Sequence, residues 1–289
     1  MDLQQTTQLL VNGVAVGSII ALAAIGLTLT YGILRLANFA HGDFMTLGAY
    51  LTWLANISGV NIWLSLIVGA VGTVLGMLLS EKLVWSPMRD RRTTSTTLMI
   101  ISIGLALFIR NGIIFIWGGS NQRYDLPVAS AIDLFGIKVP FYQPIVVFLA
   151  IAAIVGLHLL LQNTKIGKAM RAVADNVDLA RVTGINVERV VIWTWVIAGT
   201  LTALGGGMYG LLTAVRPNMG WFLILPMFAS VILGGIGNPY GAIAGALVIG
   251  VAQELSVPWL GSEYKLGVAL FIMVLVLLVR PQGLFKGTL

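Results

Sequence analysis

Long unbroken apolar runs separated by short polar segments dominate the chain. Nine of them are near the length of about 20 residues that a membrane-crossing helix needs: 9–33, 40–58, 61–80, 97–118, 141–162, 190–214, 221–236, 239–257 and 264–280. The pattern therefore predicts an all-α polytopic membrane protein with about eight to nine transmembrane helices, folded as one transmembrane domain over 1–289. The second run is the weakest, because it opens with Asn38, His41 and Asp43; it is expected to be broken or partly re-entrant. Small residues recur at helical spacing in several runs, as at Gly69, Gly72 and Gly76, or Gly241, Gly245 and Gly250. Such residues let helices approach closely where lipid supplies no hydrophobic drive.

The polar segments set the expected orientation. Ser80–Ser95 carries Lys82, Arg89, Arg91 and Arg92; Asn163–Arg189 carries Lys165, Lys168, Arg171, Arg181 and Arg189. With both in the cytoplasm, Arg35, Arg280 and Lys286 also fall inside, while Arg123, Lys138, Arg216 and Lys265 fall outside. That excess of inner cations predicts an external N-terminus and a cytoplasmic C-terminus. Residues 1–8 hold no cation, and the apolar run beginning at Leu9 outlasts a signal-peptide core, so the first span is expected to be retained. The outer segment Gly119–Pro140 reads as loop from its Gly, Pro, Asn and Asp.

Composition agrees with a lipid solvent. Of 289 residues, 58% are hydrophobic and 10% charged, against about 25% charged in a soluble domain. Mean hydropathy is +0.94. The net charge of +6 reflects the inner cations rather than a nucleic-acid surface. There is no cysteine, which removes disulfides, thiolate metal sites and thiol nucleophiles. A hydrolase or transferase would need a catalytic constellation, and none is visible. A proton- or sodium-coupled carrier or a channel would want acids deep in the spans; the acids here read as lying in loops or near span ends.

Three features carry candidate chemistry. Gly167-Lys168 lacks the rest of a nucleotide-binding loop, so any ATP acts through another subunit. Asn163–Arg189 reads as a short amphipathic helix through Ala169, Met170, Val173 and Ala174, with a break at Asp175-Asn176 and a resumption to Gly184. By itself that pattern fits either a helix on the lipid surface or one docked in a partner's groove. Arg110 lies about 12 Å inside its span, too deep for full snorkelling. It calls for a buried partner, with Glu254 a candidate at similar depth, or for a place in a substrate path. His158 reads as an internally hydrogen-bonded structural histidine.

The segment Leu36-Ala37-Asn38-Phe39-Ala40-His41-Gly42-Asp43-Phe44-Met45, followed by Leu47-Gly48-Ala49-Tyr50, resembles the signature of branched-chain amino-acid ABC-importer permeases, the LivH family. Gly167-Lys168-Ala169-Met170-Arg171-Ala172, Asp175-Asn176 and Gly184-Ile185-Asn186 resemble that family's cytoplasmic coupling segment. Leu233-Gly234-Gly235-Ile236-Gly237, Gly241 to Ala246 and the closing Arg280-Pro281-Gln282-Gly283-Leu284-Phe285 extend the likeness to nearly the whole chain. The Asp-Leu-Ser-Val-Gly stretch of related sugar permeases is absent. Urea-type permeases share the His-Gly-acid-Phe theme and remain an alternative.

The resemblance implies a multi-pass subunit of the bacterial inner membrane that binds no cofactor itself. It implies a homologous second permease, two cytoplasmic ATPases and a periplasmic binding protein that delivers neutral or branched-chain amino acids. It assigns 163–189 to docking on the ATPase, through Gly167, Lys168, Arg171, Asp175, Asn176 and Gly184.

An internal echo is also visible. Tyr31-Gly32-Ile33-Leu34, then Asn38, Gly42 and Phe44, is matched by Tyr209-Gly210-Leu211-Leu212, then Asn218, Gly220 and Phe222. The predicted orientation runs the two preceding helices oppositely, as an inverted repeat requires. The interruptions at Asn38, His41, Gly42 and Asp43 and at Arg216, Pro217, Asn218 and Gly220 are then expected to line the substrate path with Arg110. They are expected near opposite faces, as gates.

Overall fold

The computed structural model describes residues 3–127, 130–134 and 137–285; Lys286, counted above among the inner cations, lies outside them. Its centre is an antiparallel pair, α1 (Leu3–Leu34) and α9 (Val187–Leu212). Gly26 of α1 lies against Ala198 and Thr202, and Gly205 of α9 against Ile19. Most of both helices is buried, as expected of helices apolar all round.

Two sets of helices wrap this pair in matching ways. In the first, α2 (Ala40–Ile57) packs on α3 (Ile62–Ser80) and on α5 (Ser95–Trp117), and α3 packs on α9. In the second, α10 (Met219–Gly234) packs on α11 (Pro239–Leu260) and on α12 (Lys265–Val279), and α11 packs on α1. The glycines expected at interfaces serve there. Gly69 faces Gly48 and Thr52, Gly245 faces Ser230, and Gly250 faces Gly17. Helix α3 passes through a π-helical turn (Glu81–Trp85) into α4 (Ser86–Asp90), where Glu81 pairs with Arg89 and accepts from Trp195 Nε1 at 2.7 Å.

Helix α6 (Tyr142–Asn163) packs beside α1 and leads into α7 (Lys165–Asp175) and α8 (Val177–Val182). Among the described residues, seven helical segments are long and apolar enough to cross a membrane, α3 counted with its continuation to Asp90 and α12 with the turn Ser262–Tyr264 before it. The exceptions are α10, with 16 residues, and α2, whose polar start lowers its hydropathy. The outward faces of α3, α6 and α12 are aliphatic or aromatic, as at Leu75, Phe148 and Leu278, and suit lipid.

The outer segment is not all loop. Strands β1 (Ile132–Leu134) and β2 (Ile137–Val139) form an antiparallel hairpin within it, with Asp133 opposite Lys138. The Gly, Pro, Asn and Asp scattered through the segment hid so short a hairpin. The segment also closes over the bundle's end: Gln122 bridges Val215, and the buried Tyr124 hydroxyl donates to Gly207 O at 3.1 Å. Burial pushes the Tyr124 phenol's pKa up.

Candidate functional site

The site forms where the chain doubles back after α1. Arg35, with φ +52°, ends that helix, and residues 35–38 return without regular structure. Helix α5 holds the return: Phe39 N donates to Ser102 Oγ at 3.1 Å, and Ser102 Oγ donates to Ala37 O at 3.3 Å. Helix α2 then begins beside the middle of the central pair. His41 Nε2 lies 2.9 Å from Ala23 O and 2.8 Å from Thr202 Oγ1. Ala23 is eleven residues before the end of α1, about 16 Å back along its axis.

Thr202 Oγ1 itself donates to Ala198 O at 2.6 Å, so His41 Nε2 is the N–H donor to both oxygens and Nδ1 is left as an acceptor. His41 Nδ1 and Asn38 Nδ2 have no partner among the described residues. Asn38 Oδ1 caps the turn by accepting from Ala40 N at 3.1 Å.

Helix α10 starts at the same depth. Gly220 N donates to Thr46 Oγ1 at 3.0 Å, and a Cβ on Gly42 or on Gly220 would overlap the other's carbonyl. Lacking Cβ atoms, the two backbones touch. The two interruptions are therefore not at opposite faces, as the sequence pattern suggested, but meet halfway along the central pair. The cause is the returning segment 35–38, which carries the start of α2 back into the bundle.

Arg110 is paired, but not with Glu254. Its Nε and a terminal nitrogen donate to the two Asp43 oxygens at 3.0 and 2.9 Å. Its guanidinium lies 4.6 Å from the centre of the Trp221 ring. Glu254 pairs instead with Lys265, 2.5 Å away at the α11–α12 end. Asp43 is thus an acid deep within the bundle, contrary to the expectation that the acids avoid such depth; its carboxylate is fully buried. It sits in the first turn of α2, where the helix dipole favours an anion. Arg110 spans α5, α2 and α10 at one point.

Beside the crossing lies a cavity of about 480 Å³ lined by Asn121, Tyr209, Arg216, Asn218, Met219 and Phe222. Arg216 and Asn218 are exposed there, while Pro217 is buried. Of the pathway residues expected from sequence, the fold brings Gly42, Asp43, Arg110 and Gly220 together, with His41 and Asn38 behind them. Thr46, Thr202 and Trp221 join them without having been singled out; Trp221 had a signal, lying one position after Gly220 as Asp43 follows Gly42.

The segment 163–189 folds as its pattern predicts. Thr164 caps α7 by accepting from Gly167 N, Asn176 caps α8 by accepting from Leu179 N, and Gly184, with φ +87°, closes α8. One expectation changes. The apolar face of α7, at Met170 and Val173, is buried within the chain, and Gly167 uses its close approach against Leu160 and Leu161 of α6. Lys168, Arg171, Asp175, Asn176 and Gly184 remain exposed. So do Leu179, at 59%, and Val182, at 81%, two apolar positions on α8.

Comparison with known proteins agrees with this architecture. LivH of Escherichia coli strain K12, a high-affinity branched-chain amino acid transport system permease protein, is 31% identical over 96% of this chain and 94% of its own. LivM of the same strain, with the same descriptive name, is 25% identical over 91% of this chain and 67% of its own. The solved structure of PsaBC from Streptococcus pneumoniae in complex with Fab shares the fold at a TM-score of 0.54 and 13% identity, covering 96% of this chain and 92% of that one. A family model described as branched-chain amino acid transport system / permease component matches residues 9–277. With that match across almost its whole length, the chain belongs to the family of branched-chain amino acid transport permeases.

Proposed function

We propose that this chain is the membrane-spanning permease subunit of an ATP-driven importer, passing neutral or branched-chain amino acids handed over by a periplasmic binding protein. The observation that carries the reading is the meeting of α2 and α10 at Gly42 and Gly220. Interrupted helices that start at membrane depth are tolerated where they line a cavity, and inverted repeats place the transported molecule there. The matched wrapping of α1 and α9 supports such a repeat. Seven long helices plus the two short ones make nine segments, with the N-terminus outside. Eleven of the described cations (Arg35, Lys82, Arg89, Arg91, Arg92, Lys165, Lys168, Arg171, Arg181, Arg189 and Arg280) gather at the bundle end that holds α7 and α8, which is then the cytoplasmic end of a bacterial inner-membrane protein.

A second, homologous permease covers the α5–α10 side. That side differs from the lipid-suited faces, because α5 exposes Asn111 among Phe108 and Phe115 next to Arg110 and the cavity. An exposed amide at membrane depth prefers protein or water to lipid. One of the two ATPases docks on 163–189, where the exposed Lys168, Arg171, Asp175, Asn176 and Gly184 flank Leu179 and Val182.

The test is reconstitution. In liposomes the chain alone should neither hydrolyse ATP nor concentrate amino acids; ATPases, second permease, binding protein and ATP together should restore uptake. Uptake by this chain alone, driven by a proton or sodium gradient, would overturn the reading, and uptake of urea by the full complex would replace the substrate. Single cysteines at Asn38, Asp43, Asn218 and Gly220 should change in reagent access through the ATP cycle.

A further inference from the structure

A hydrogen-bond chain runs along the cytoplasmic end of the bundle and is absorbed by none of the features above. Arg171 on α7 donates to Gln162 Oε1 at 3.0 Å. Gln162 Nε2 donates to the Tyr240 hydroxyl at 3.3 Å. The hydroxyl lies 2.8 Å from His158 Nδ1. Arg171 can only donate, so the Gln162 amide must turn its oxygen toward it and its nitrogen toward Tyr240. The Tyr240 hydroxyl accepts from Gln162 and shares a proton with His158 Nδ1, as donor or acceptor according to the imidazole tautomer. The bonds tie α7 to α6 and α6 to α11, and the last returns from Tyr240 to α6 at His158.

We infer that Arg171, Gln162 and Tyr240 form the link through which movement of the coupling segment reaches the α10–α11 hairpin, and so the crossing at Gly220. This rests on the proposed docking of 163–189 on the ATPase and adds the route inward from it. Tyr240 stands in the first turn of α11, whose start is fixed by Asn238 Oδ1 accepting from Tyr240 N and Gly241 N. Gly241 is in backbone contact with Gly234, the last residue of α10, so the two helices move as one at this end. Helix α10 runs from there to Gly220 without another support on α7.

The larger contacts of α7 are with α6, α8, α9 and α1, and Met170 and Arg171 also border a gap shared with Pro239 and Tyr240. Behind the chain of bonds lies a small gap of about 90 Å³ lined by Thr28, Gly32, Met170 and Pro239, across which Gly237 N donates to Thr28 Oγ1 at 2.9 Å and ties the hairpin to α1 as well. His158 ends the series and holds the Tyr240 ring edge-on at 5.7 Å.

The experiment measures amino acid taken up per ATP hydrolysed in the complete reconstituted importer, normalised to assembled complex. Tyr240→Phe keeps the ring and deletes both of its hydroxyl bonds. It should lower uptake per ATP by about fivefold, the low end of measured couplings between sites, with ATPase assembly unchanged. Gln162→Leu should do the same, and the double variant should be no worse than either single one, because each cuts one series. A native ratio in Tyr240→Phe, or losses that multiply in the double variant, would overturn the link. Cross-linking from a cysteine at Lys168 to the ATPase separates the two readings. Its absence in the native complex removes the docking itself, whereas its presence with a native Tyr240→Phe ratio removes the link alone.

Discussion

Helices α2 and α10 begin at one depth and cross at Gly42 and Gly220, yet their first turns are held differently. The turn of α2 is wholly buried: Asp43 is clamped by Arg110, His41 is bound to both central helices, and the approach is pinned by Ser102. At the matching place α10 carries Trp221 instead of an acid, makes one hydrogen bond through Gly220 N to Thr46, and is approached through the exposed Arg216 and Asn218. One start is built as a fixed frame. The other is attached to that frame at few points and borders the cavity. A repeat can keep its packing while its two copies divide the work of holding and moving.

The sharpest way to break this contrast is to unpair the frame. Asp43→Asn or Arg110→Gln should each cost about 3–5 kcal/mol of stability, since either leaves a buried group uncompensated. The double neutral variant should recover part of that in a thermal-unfolding series on the detergent-solubilised chain. Next in size is the crossing itself. Gly42→Val and Gly220→Val should each cost about 3 kcal/mol by overpacking and should abolish uptake, even where the protein still inserts. Thr46→Val, which removes the oxygen accepting from Gly220 N, should cost about 2 kcal/mol and raise reagent access at a cysteine placed at Asn218. If Thr46→Val leaves both stability and access unchanged, α10 is held as firmly as α2 and the contrast fails. Smallest is Lys265→Gln at the far end of α11: Lys265 is partly exposed but the buried Glu254 loses its cation, so about 1–2 kcal/mol should be lost, with native uptake expected.

The helices that lie fully within lipid or core were legible, because twenty apolar residues leave few alternatives. The break between α7 and α8 was legible too, since Asn176 carries its own cap chemistry. The site was legible residue by residue but not as a geometry. Asp43 and Arg110 are 67 positions apart, His41 and Thr202 are 161 apart, and nothing local marks either pair. Depth counted from the ends of apolar runs placed Glu254 level with Arg110 and set the two interruptions at opposite faces. That count assumes each segment starts where the last one stopped. The stretch 35–38 breaks the assumption by travelling back into the bundle, and its polarity signalled an irregular start without giving its direction. The inward packing of α7 was hidden for another reason: an amphipathic face shows that something covers it, not which chain does.

The clamp on Asp43 also bears on how the chain is made. Helix α2 leaves the ribosome before α5, and α9 comes later still, so His41 and Asp43 are synthesised before Thr202 and Arg110 exist to receive them. Insertion of α2 on its own would place an unpaired carboxylate and an imidazole in hydrocarbon. The start of α2 can therefore reach its buried, fully partnered place only once α5 and α9 have been made, through partners 67 and 161 positions downstream of Asp43 and His41.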